Sequence, residues 1–306
     1  MSGISLFDYQ LDAVSRMRNG CILCGGVGSG KSRTSLAYYY KEQGGVLGTK
    51  NYVRMKNPKD LYIITTARKR DTLEWEGELS YFLLSTNPKV NGYKNRVIVD
   101  SWNNIQKYKN VTDSFFIFDE QRVVGSGVWV KSFLKITKSN DWILLSATPG
   151  DTWQDYIPVF IANGFYRNRT EFCNDHIIYS RFSKFPKIDR YINTGRLIRL
   201  RDRILVDMDF KRETIAHHED IIVQYDISKY KETMRNRWDP YNNEPITNAS
   251  GLCYILRKIV NSDESRQIAL MDILESRPKV IVFYNFDYEL DILKGLHYGK
   301  DVQIAE

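Results

Sequence analysis

The chain has 306 residues, of which 42% are hydrophobic and 26% are charged, and its formal net charge is +7 at pH 7. This length accommodates one large or two ordinary domains, and we expect two. No apolar run reaches the roughly 20 residues of a membrane helix and no signal sequence opens the chain, so we expect a cytoplasmic protein with no membrane partner. Four scattered cysteines exclude a disulfide framework.

Apolar runs alternate with amphipathic segments through the first half of the chain. After a predicted helix over 8–18, strands are predicted over 21–24, 61–66, 96–100, 114–118 and 141–146. Helices are predicted between them, over 31–43, 68–84, 101–108 and 128–137. Strands that are apolar throughout and separated by helices form parallel sheets covered on both faces. Residues 1–150 are therefore predicted to be the core of an α/β domain with a doubly wound parallel sheet.

The second half of the chain is less regular. Residues 151–215 are rich in aromatic and basic side chains, and we interpret them as an irregular extension that completes a first domain over 1–215. A connecting region is predicted over 216–262, with a polar loop at 235–250 and a helix at 251–261. A helix at 264–276, a strand at 279–284 and a helix at 287–296 predict that residues 263–306 begin a second domain without completing it.

Residues 25–32 follow the first predicted strand and fit the pattern G-x-x-x-x-G-K-[ST]. In such a loop the backbone N–H groups turn toward phosphates, the lysine reaches the β- and γ-phosphates, and the last hydroxyl holds Mg²⁺. The alternative is a glycine-rich turn with an incidental lysine. The pattern predicts a site for ATP and Mg²⁺ formed by Gly25, Gly26, Val27, Gly28, Ser29, Gly30, Lys31, Ser32 and Arg33.

Two carboxylates, Asp119 and Glu120, end the fourth apolar run. Beside a phosphate loop, Asp119 would hold Mg²⁺ together with Ser32, and Glu120 would orient and deprotonate the attacking water. A strand that ends in a solvated acidic turn is the alternative. Ser146 and Thr148 end the next strand, where their hydroxyls could sense the γ-phosphate. The predicted catalytic residues are Lys31, Asp119 and Glu120.

In order and spacing, five segments resemble the successive motifs of superfamily 2 helicases and translocases. They are Phe7-Asp8-Tyr9-Gln10, residues 25–32, Thr65-Thr66-Ala67-Arg68, Asp119-Glu120-Gln121-Arg122 and Ser146-Ala147-Thr148. Segments 256–261, 265–266, 279–284 and 290–293 are similar to the SWI/SNF-type branch, particularly its bacteriophage-encoded members. The resemblance implies two RecA-like P-loop NTPase lobes, the first complete and the second only begun, and the host cytoplasm if the chain is phage-encoded.

The resemblance also implies roles for single residues. Gln10 would read the adenine edge, with Phe7 or Tyr9 packed near the base, and an exposed polar residue is the alternative for Gln10. Arg122, Ser146 and Thr148 would couple hydrolysis to movement, although Arg122 stands where the family more often has His or Asp. The implied nucleic-acid contacts are Thr66, Arg68, Lys69, Ser101, Trp102 and Asn103. For the basic part of this set, a solvated helix start is the alternative.

The predicted function is that of an ATP-dependent DNA helicase or translocase, with RNA as the less favoured substrate. The family places its arginine fingers beyond the segment matched here by 279–284, so we expect this chain alone to bind ATP and to hydrolyse it poorly. A non-motor protein that binds ATP or nucleic acid in a regulatory or interaction role is the alternative from a different class. A small-molecule kinase is disfavoured, because it needs neither Asp119-Glu120 followed by Ser146-Ala147-Thr148 nor the segment at 251–293.

Overall fold

The computed structural model describes residues 2–119, 123–183, 185–210, 217–277 and 279–296. The chain divides into two compact units, Met1–Glu213 and Thr214–Glu306. None of the helices in these described ranges combines the length and apolar character needed to span a bilayer.

A six-stranded parallel sheet forms the centre of the first unit. The strands of this unit are β1 (Ile22–Cys24), β2 (Leu61–Thr65), β3 (Val97–Ser101), β4 (Phe115–Asp119), β5 (Asp141–Ser146), β6 (Ile177–Tyr179), β7 (Ile188–Tyr191) and β8 (Leu205–Asp207). The order across the sheet is β3-β2-β4-β5-β1-β8, and every neighbouring pair in it is parallel. Strands β6 and β7 pair antiparallel in a separate hairpin. The α/β fold class predicted from the sequence is confirmed.

Helices cover both faces of this sheet. They are α1 (Asp8–Arg16), α2 (Lys31–Glu42), α3 (Ala67–Asp71), α4 (Glu74–Ser80), α5 (Val128–Ile136), α6 (Ile157–Ala162), α7 (Arg169–His176) and α8 (Thr194–Ile204), with 3-10 helices at Trp102–Tyr108 and Trp153–Tyr156. Successive side chains of a strand point to opposite faces. On β4, Ile117 packs in a cluster with Leu36 of α2, whereas Phe118 packs in a second cluster with Phe133 of α5. The sheet is therefore doubly wound, as predicted.

Three parts of the first unit differ from the prediction. The single helix expected over 68–84 is two helices, α3 and α4, which are separated at Leu73, a residue with φ of +56°. The helix expected over 101–108 has 3-10 geometry. The sixth strand, β8, comes from residues 205–207 and pairs with β1, so the sheet extends beyond the core predicted over 1–150.

The second unit is mainly helical in its described residues. Its elements are α9 (Ile227–Asn236), β9 (Trp238–Asp239), β10 (Glu244–Pro245), α10 (Ala249–Asn261), α11 (Glu264–Ser276) and α12 (Asp287–Gly295). The prediction of a strand over 279–284 is wrong: none of the described residues pairs with this segment, and Ile281 and Phe283 are 73% and 91% exposed. Apolar, β-branched composition favours a strand, but a strand forms only where another strand satisfies its backbone.

Candidate nucleotide-binding site

The predicted phosphate loop joins β1 to α2, and its geometry favours glycine at three positions. Gly28 and Gly30 have φ of +84° and +77°, a region that side chains disfavour. A Cβ on Gly25 would lie 2.6 Å from the hydroxyl oxygen of buried Ser29. Gly30 caps α2, which begins at Lys31. The loop therefore delivers the positive end of the α2 dipole and its first N–H groups to one place, as an anion site requires.

The Lys31 side chain folds back over this loop. Its ammonium donates to the carbonyl oxygens of Gly25 at 2.7 Å and Gly26 at 3.0 Å. These bonds hold a positive charge at the loop itself, beside the N-terminus of α2. The lysine predicted to meet the β- and γ-phosphates is thus positioned by the backbone that would surround them.

The start of α1 is fixed against the same loop. Buried Gln10 accepts from the Phe7 backbone N–H at 3.0 Å, and a Cβ on Gly30 would lie 2.4 Å from the Gln10 amide nitrogen. The Tyr9 hydroxyl donates to the Ser29 carbonyl at 3.3 Å. Phe7 is 68% exposed and stacks on the Tyr9 ring at 5.6 Å. A flat aromatic face and a buried carboxamide therefore lie next to the phosphate loop.

Asp119 ends β4 at the sheet edge that carries the loop. It pairs in register with Leu145 of β5, which pairs with Leu23 of β1, so Asp119 and Leu23 are two strands and about 10 Å apart. The carboxylate is almost wholly buried. Its Oδ2 accepts from the Thr65 hydroxyl at 2.8 Å and from the Lys69 ammonium at 3.1 Å.

The oxygen donors of Ser32 and Asp119 suit Mg²⁺, which prefers hard oxygen ligands and is usually held by one or two carboxylates together with substrate phosphates and waters. Within the described residues, no group of three or more His, Cys, Asp or Glu side chains could hold a metal ion. The donor set therefore fits a Mg²⁺ that arrives with nucleotide phosphates better than a permanently bound ion.

The end of β5 contacts the phosphate loop directly. The Gly25 N–H donates to the Ser146 carbonyl at 3.2 Å, and the Thr148 N–H donates to the Ser146 hydroxyl at 3.1 Å. A strand lying between β4 and β1 is thus bonded to the loop at the position predicted for coupling. Glu120 and Arg122, predicted as catalytic base and coupling residue, lie outside the described residues.

Two of the predicted nucleic-acid contacts are corrected by the structure. Trp102 is 3% exposed, and its indole N–H donates to the Asp119 carbonyl at 2.9 Å. Ser101 is 2% exposed, and its hydroxyl accepts from Arg70 at 3.2 Å. Neither side chain has a surface left for a nucleic acid, so both assignments are wrong. Trp102 is buried because it packs in the same hydrophobic cluster as Phe118, and Ser101 is buried at the end of β3 beside Arg70.

The other four predicted contacts divide into two kinds. Arg68 and Asn103 are exposed. Thr66 caps α3 by accepting from the Lys69 N–H, and the Lys69 ammonium pairs with Asp119. The segment expected to meet nucleic acid is therefore joined by an ion pair to the carboxylate expected to meet Mg²⁺.

The Arg33 side chain contacts α4 and the tyrosine that follows it. Its Nε donates to Glu78 of α4 at 2.8 Å, and its guanidinium carbon lies 3.8 Å from the centre of the Tyr81 ring. These contacts tie α2 to α4, so the expectation that this guanidinium binds ATP is wrong.

Sequence reasoning missed a polar cluster around Asp100 near the end of β3. Burial raises the pKa of Asp100, but hydrogen bonds from Tyr108, Asn104, the Ser101 N–H and Arg70 outweigh it and lower the pKa below its ordinary value. The available signal was a carboxylate at the end of the apolar run Val97-Ile98-Val99. This cluster fixes α3 to β3.

Comparison with known proteins supports the architecture. Neither a protein-family model nor a curated protein matches the chain. The SWI2/SNF2 ATPase core of Sulfolobus solfataricus, solved in complex with dsDNA, aligns with 90% of this chain and 64% of its own, with a TM-score of 0.50 and 16% identity. The Pyrococcus furiosus Hef helicase domain aligns with 56% of this chain and 40% of its own, with a TM-score of 0.34 and 16% identity. This chain thus spans less than two thirds of the Sulfolobus chain, and the likeness to that protein shows the RecA-like fold.

Proposed function

We propose that this chain binds ATP with Mg²⁺ and couples ATP hydrolysis to movement along DNA, as a helicase or translocase. The observation that carries the proposal is the arrangement at one edge of the sheet. There the Gly25 N–H bonds to the end of β5, and Asp119, at the end of β4, is ion-paired with Lys69 of α3. A nucleotide at this edge would contact the loop, a strand end and a carboxylate that is itself linked to a basic segment.

Each group at the edge has a distinct task in this proposal. The loop N–H groups, the α2 N-terminus and Lys31 bind and orient the phosphates. Ser32 and Asp119 hold Mg²⁺, which neutralises phosphate charge when bound. Glu120, the next residue along the chain, orients and deprotonates the attacking water. Phe7 and Gln10 hold the base.

DNA is the favoured polymer on two grounds. The Sulfolobus protein with a similar fold was solved with dsDNA, which supports the same class of partner here. The exposed Arg68 lies on α3, next to the lysine that pairs with Asp119. A guanidinium in that position can bind phosphate without reading sequence, as a protein that moves along a strand requires. RNA is the less favoured alternative.

Because this chain alone is expected to hydrolyse ATP slowly, the test is the relative change in its hydrolysis rate, against no nucleic acid, when single-stranded DNA, duplex DNA or RNA is added. We expect DNA to raise the rate and Lys31→Ala and Glu120→Gln each to abolish the increase. RNA should raise it less. Tight ATP binding with no DNA-dependent turnover would contradict the motor and favour a regulatory ATP-binding protein.

A further inference from the structure

One short stretch of the chain has a strong local excess of positive charge. Residues 180–204 contain eight Lys or Arg and two Asp, a net charge of +6, against +7 for all 306 residues. This stretch comprises the loop that joins β6 to β7, strand β7 itself and helix α8. A local excess of this size is typical of a surface that binds an anionic polymer.

The loop between β6 and β7 exposes two aromatic rings within this charge. Phe182 is 100% exposed and Phe185 is 74% exposed. Two large apolar side chains exposed to water within one short loop are typical of a surface that a partner covers. Unpaired nucleobases stack on such rings whatever their sequence, and each stacked base raises affinity by roughly 5- to 150-fold.

The hairpin that carries these rings is anchored in the core of the first unit. Ile177 pairs with Tyr191, and the Ser180 N–H donates to the Lys187 carbonyl at 2.8 Å. Below the hairpin, the buried ring of His176 is bonded at 2.7 Å to the Tyr166 hydroxyl and at 3.0 Å to the Ile192 carbonyl. An anchored hairpin presents its tip without a large ordering cost, which favours binding.

Helix α8 presents guanidinium groups that are already stacked on aromatic rings. Arg196 lies over Tyr166 with its guanidinium carbon 5.2 Å from the ring centre, and Arg203 lies over Phe165 at 5.4 Å. Both arginines are exposed and lie seven residues apart, about two helical turns, so they share one face. Stacking orients the N–H groups of a guanidinium toward phosphate oxygens, although a phosphate at Arg196 would compete with Asp175, whose Oδ2 lies 3.5 Å from the guanidinium.

A pocket of about 350 Å³ joins the hairpin to α8. Tyr191 of β7, Arg201 of α8 and Trp153 line it, and the Arg201 guanidinium carbon lies 5.7 Å from the centre of the Trp153 ring. The lining begins at Gly150, two residues after Thr148. The pocket therefore brings Arg201 and Tyr191 together with the segment that follows the end of β5, where coupling is predicted.

We propose that this surface, formed by the β6–β7 loop, β7, α8 and Trp153, binds a single-stranded segment of nucleic acid. The phosphates lie along the arginines of α8 and β7, and unpaired bases stack on Phe182 and Phe185. The inference rests on the proposed function and adds to it the place where an unpaired strand is held. An anionic bilayer would also attract a basic aromatic tip, but guanidinium groups stacked on rings beside a pocket favour planar bases and phosphates.

The test measures the affinity of the whole chain for fluorescein-labelled oligo(dT) by fluorescence anisotropy over a range of salt concentrations. The double variant Phe182→Ala/Phe185→Ala should bind at least about tenfold more weakly, with the salt dependence unchanged, because stacking releases no counterions. Phe283→Ala, at a phenylalanine that is 91% exposed in the second unit, is the matched control and should change affinity less than about twofold. Arg196→Ala should lower the slope of log affinity against log salt by about 0.7.

The outcomes separate this inference from the proposed function. If the double variant binds oligo(dT) as the wild type does, the inference is overturned, while DNA-dependent ATP hydrolysis would still uphold the motor. If the double variant loses affinity but the wild type shows no DNA-dependent hydrolysis, the binding surface is supported and the proposed coupling of ATP hydrolysis to movement is contradicted. Wild-type binding to phosphatidylserine vesicles in place of oligo(dT) would overturn the inference in favour of a membrane surface.

Discussion

The Lys69 ammonium lies 3.1 Å from Oδ2 of Asp119, and the two side chains are 20% and 2% exposed. The Thr65 hydroxyl donates to the same oxygen at 2.8 Å. The pair joins α3 to the end of β4. A change of charge at Asp119 would therefore alter an ion pair that holds α3, the helix that also carries Arg68. A cation that bound Asp119 would compete with Lys69, and this competition would link the proposed nucleotide site to the basic segment.

Replacing Lys69 by methionine keeps the aliphatic stem and removes the charge. We expect the free energy of unfolding to fall by about 1–3 kcal/mol, because Asp119 loses a partner while remaining buried. Arg68→Met, at the exposed neighbouring position, is the control and should change it by less than about 0.5 kcal/mol. Urea unfolding of both variants provides the measurement, and equal stabilities would contradict the structural role of the pair.

Two glycines of the phosphate loop should respond differently to alanine. Gly28 and Gly30 both have positive φ, but a Cβ on Gly28 meets nothing within 4 Å, whereas one on Gly30 lies 2.4 Å from the Gln10 amide. Gly28→Ala should therefore cost only the backbone strain, about 1–2 kcal/mol. Gly30→Ala should lower the free energy of unfolding by more than Gly28→Ala does, and it should also weaken ATP binding more, because the new Cβ displaces Gln10.

A second substitution isolates the contact with Gln10. Adding Gln10→Ala to Gly30→Ala removes the clash, so the double variant should be less destabilised than the sum of the two single changes. Thermal unfolding and ATP binding of all four proteins complete the cycle. Strict additivity would show that Gln10 does not pack on Gly30.

The sequence predicts five of the six sheet strands because each is an uninterrupted apolar run, as in Phe115-Phe116-Ile117-Phe118. The sixth, β8, is three residues long and follows directly on the amphipathic helix α8, so its own pattern carries no signal. It becomes a strand because α8 brings residues 205–207 beside β1, a tertiary contact that the local sequence does not report. The segment 279–284 shows the converse, because its composition favours a strand that no described partner completes.

The site was predictable where chemistry depends on sequence spacing, as in the phosphate loop, and less so where it depends on burial. Trp102 and Ser101 have the residue types of a nucleic-acid contact, but both side chains are buried where β3 ends and the 3-10 helix begins. The pairing of Lys69 with Asp119 joins residues 50 positions apart on separate elements. No periodicity in the sequence reports such a contact.

Trp102→Phe tests the corrected assignment. The substitution leaves the Asp119 carbonyl without the indole donor, so we expect a loss of about 1–3 kcal/mol in the free energy of unfolding. Because the side chain is buried, the affinity of the folded variant for DNA should not change. Urea unfolding and anisotropy with labelled DNA are the two measurements, and weaker DNA binding at unchanged stability would restore the original assignment.

Asp100 should make the stability of the first unit sensitive to acid. Its folded-state pKa is lowered, so its contribution is fully present above the unfolded value of about 3.9 and is lost as the pH falls through the folded value. The stability difference between wild type and Asp100→Asn should therefore be largest near neutral pH and shrink below about pH 4. Urea unfolding from pH 7 to pH 3 measures it. A difference that is constant over this range would contradict the linkage.

The thiols of the chain should differ widely in reactivity. Burial raises the pKa of Cys21 to about 11, and burial followed by the nearby Asp207 carboxylate raises the pKa of Cys24 to about 11. Cys253 is exposed. At pH 8 iodoacetamide should alkylate the exposed Cys253 faster than Cys24, because the thiolate is the reacting form and the raised pKa of Cys24 keeps it protonated. Peptide mass spectrometry gives the rates, and comparable labelling of the two would show that β1 is open to solvent.

The most direct test of the nucleotide site is the equilibrium binding of a fluorescent ATP analogue with Mg²⁺ to wild type, Lys31→Ala and Lys41→Ala. Both lysines are on α2, but only Lys31 contacts the loop carbonyls, while Lys41 is exposed in the last turn. We predict that Lys31→Ala weakens binding by at least about tenfold, since it removes a charge-assisted contact to phosphate, and that Lys41→Ala binds as the wild type does. Unchanged affinity in Lys31→Ala would contradict the assignment of this sheet edge as an ATP site.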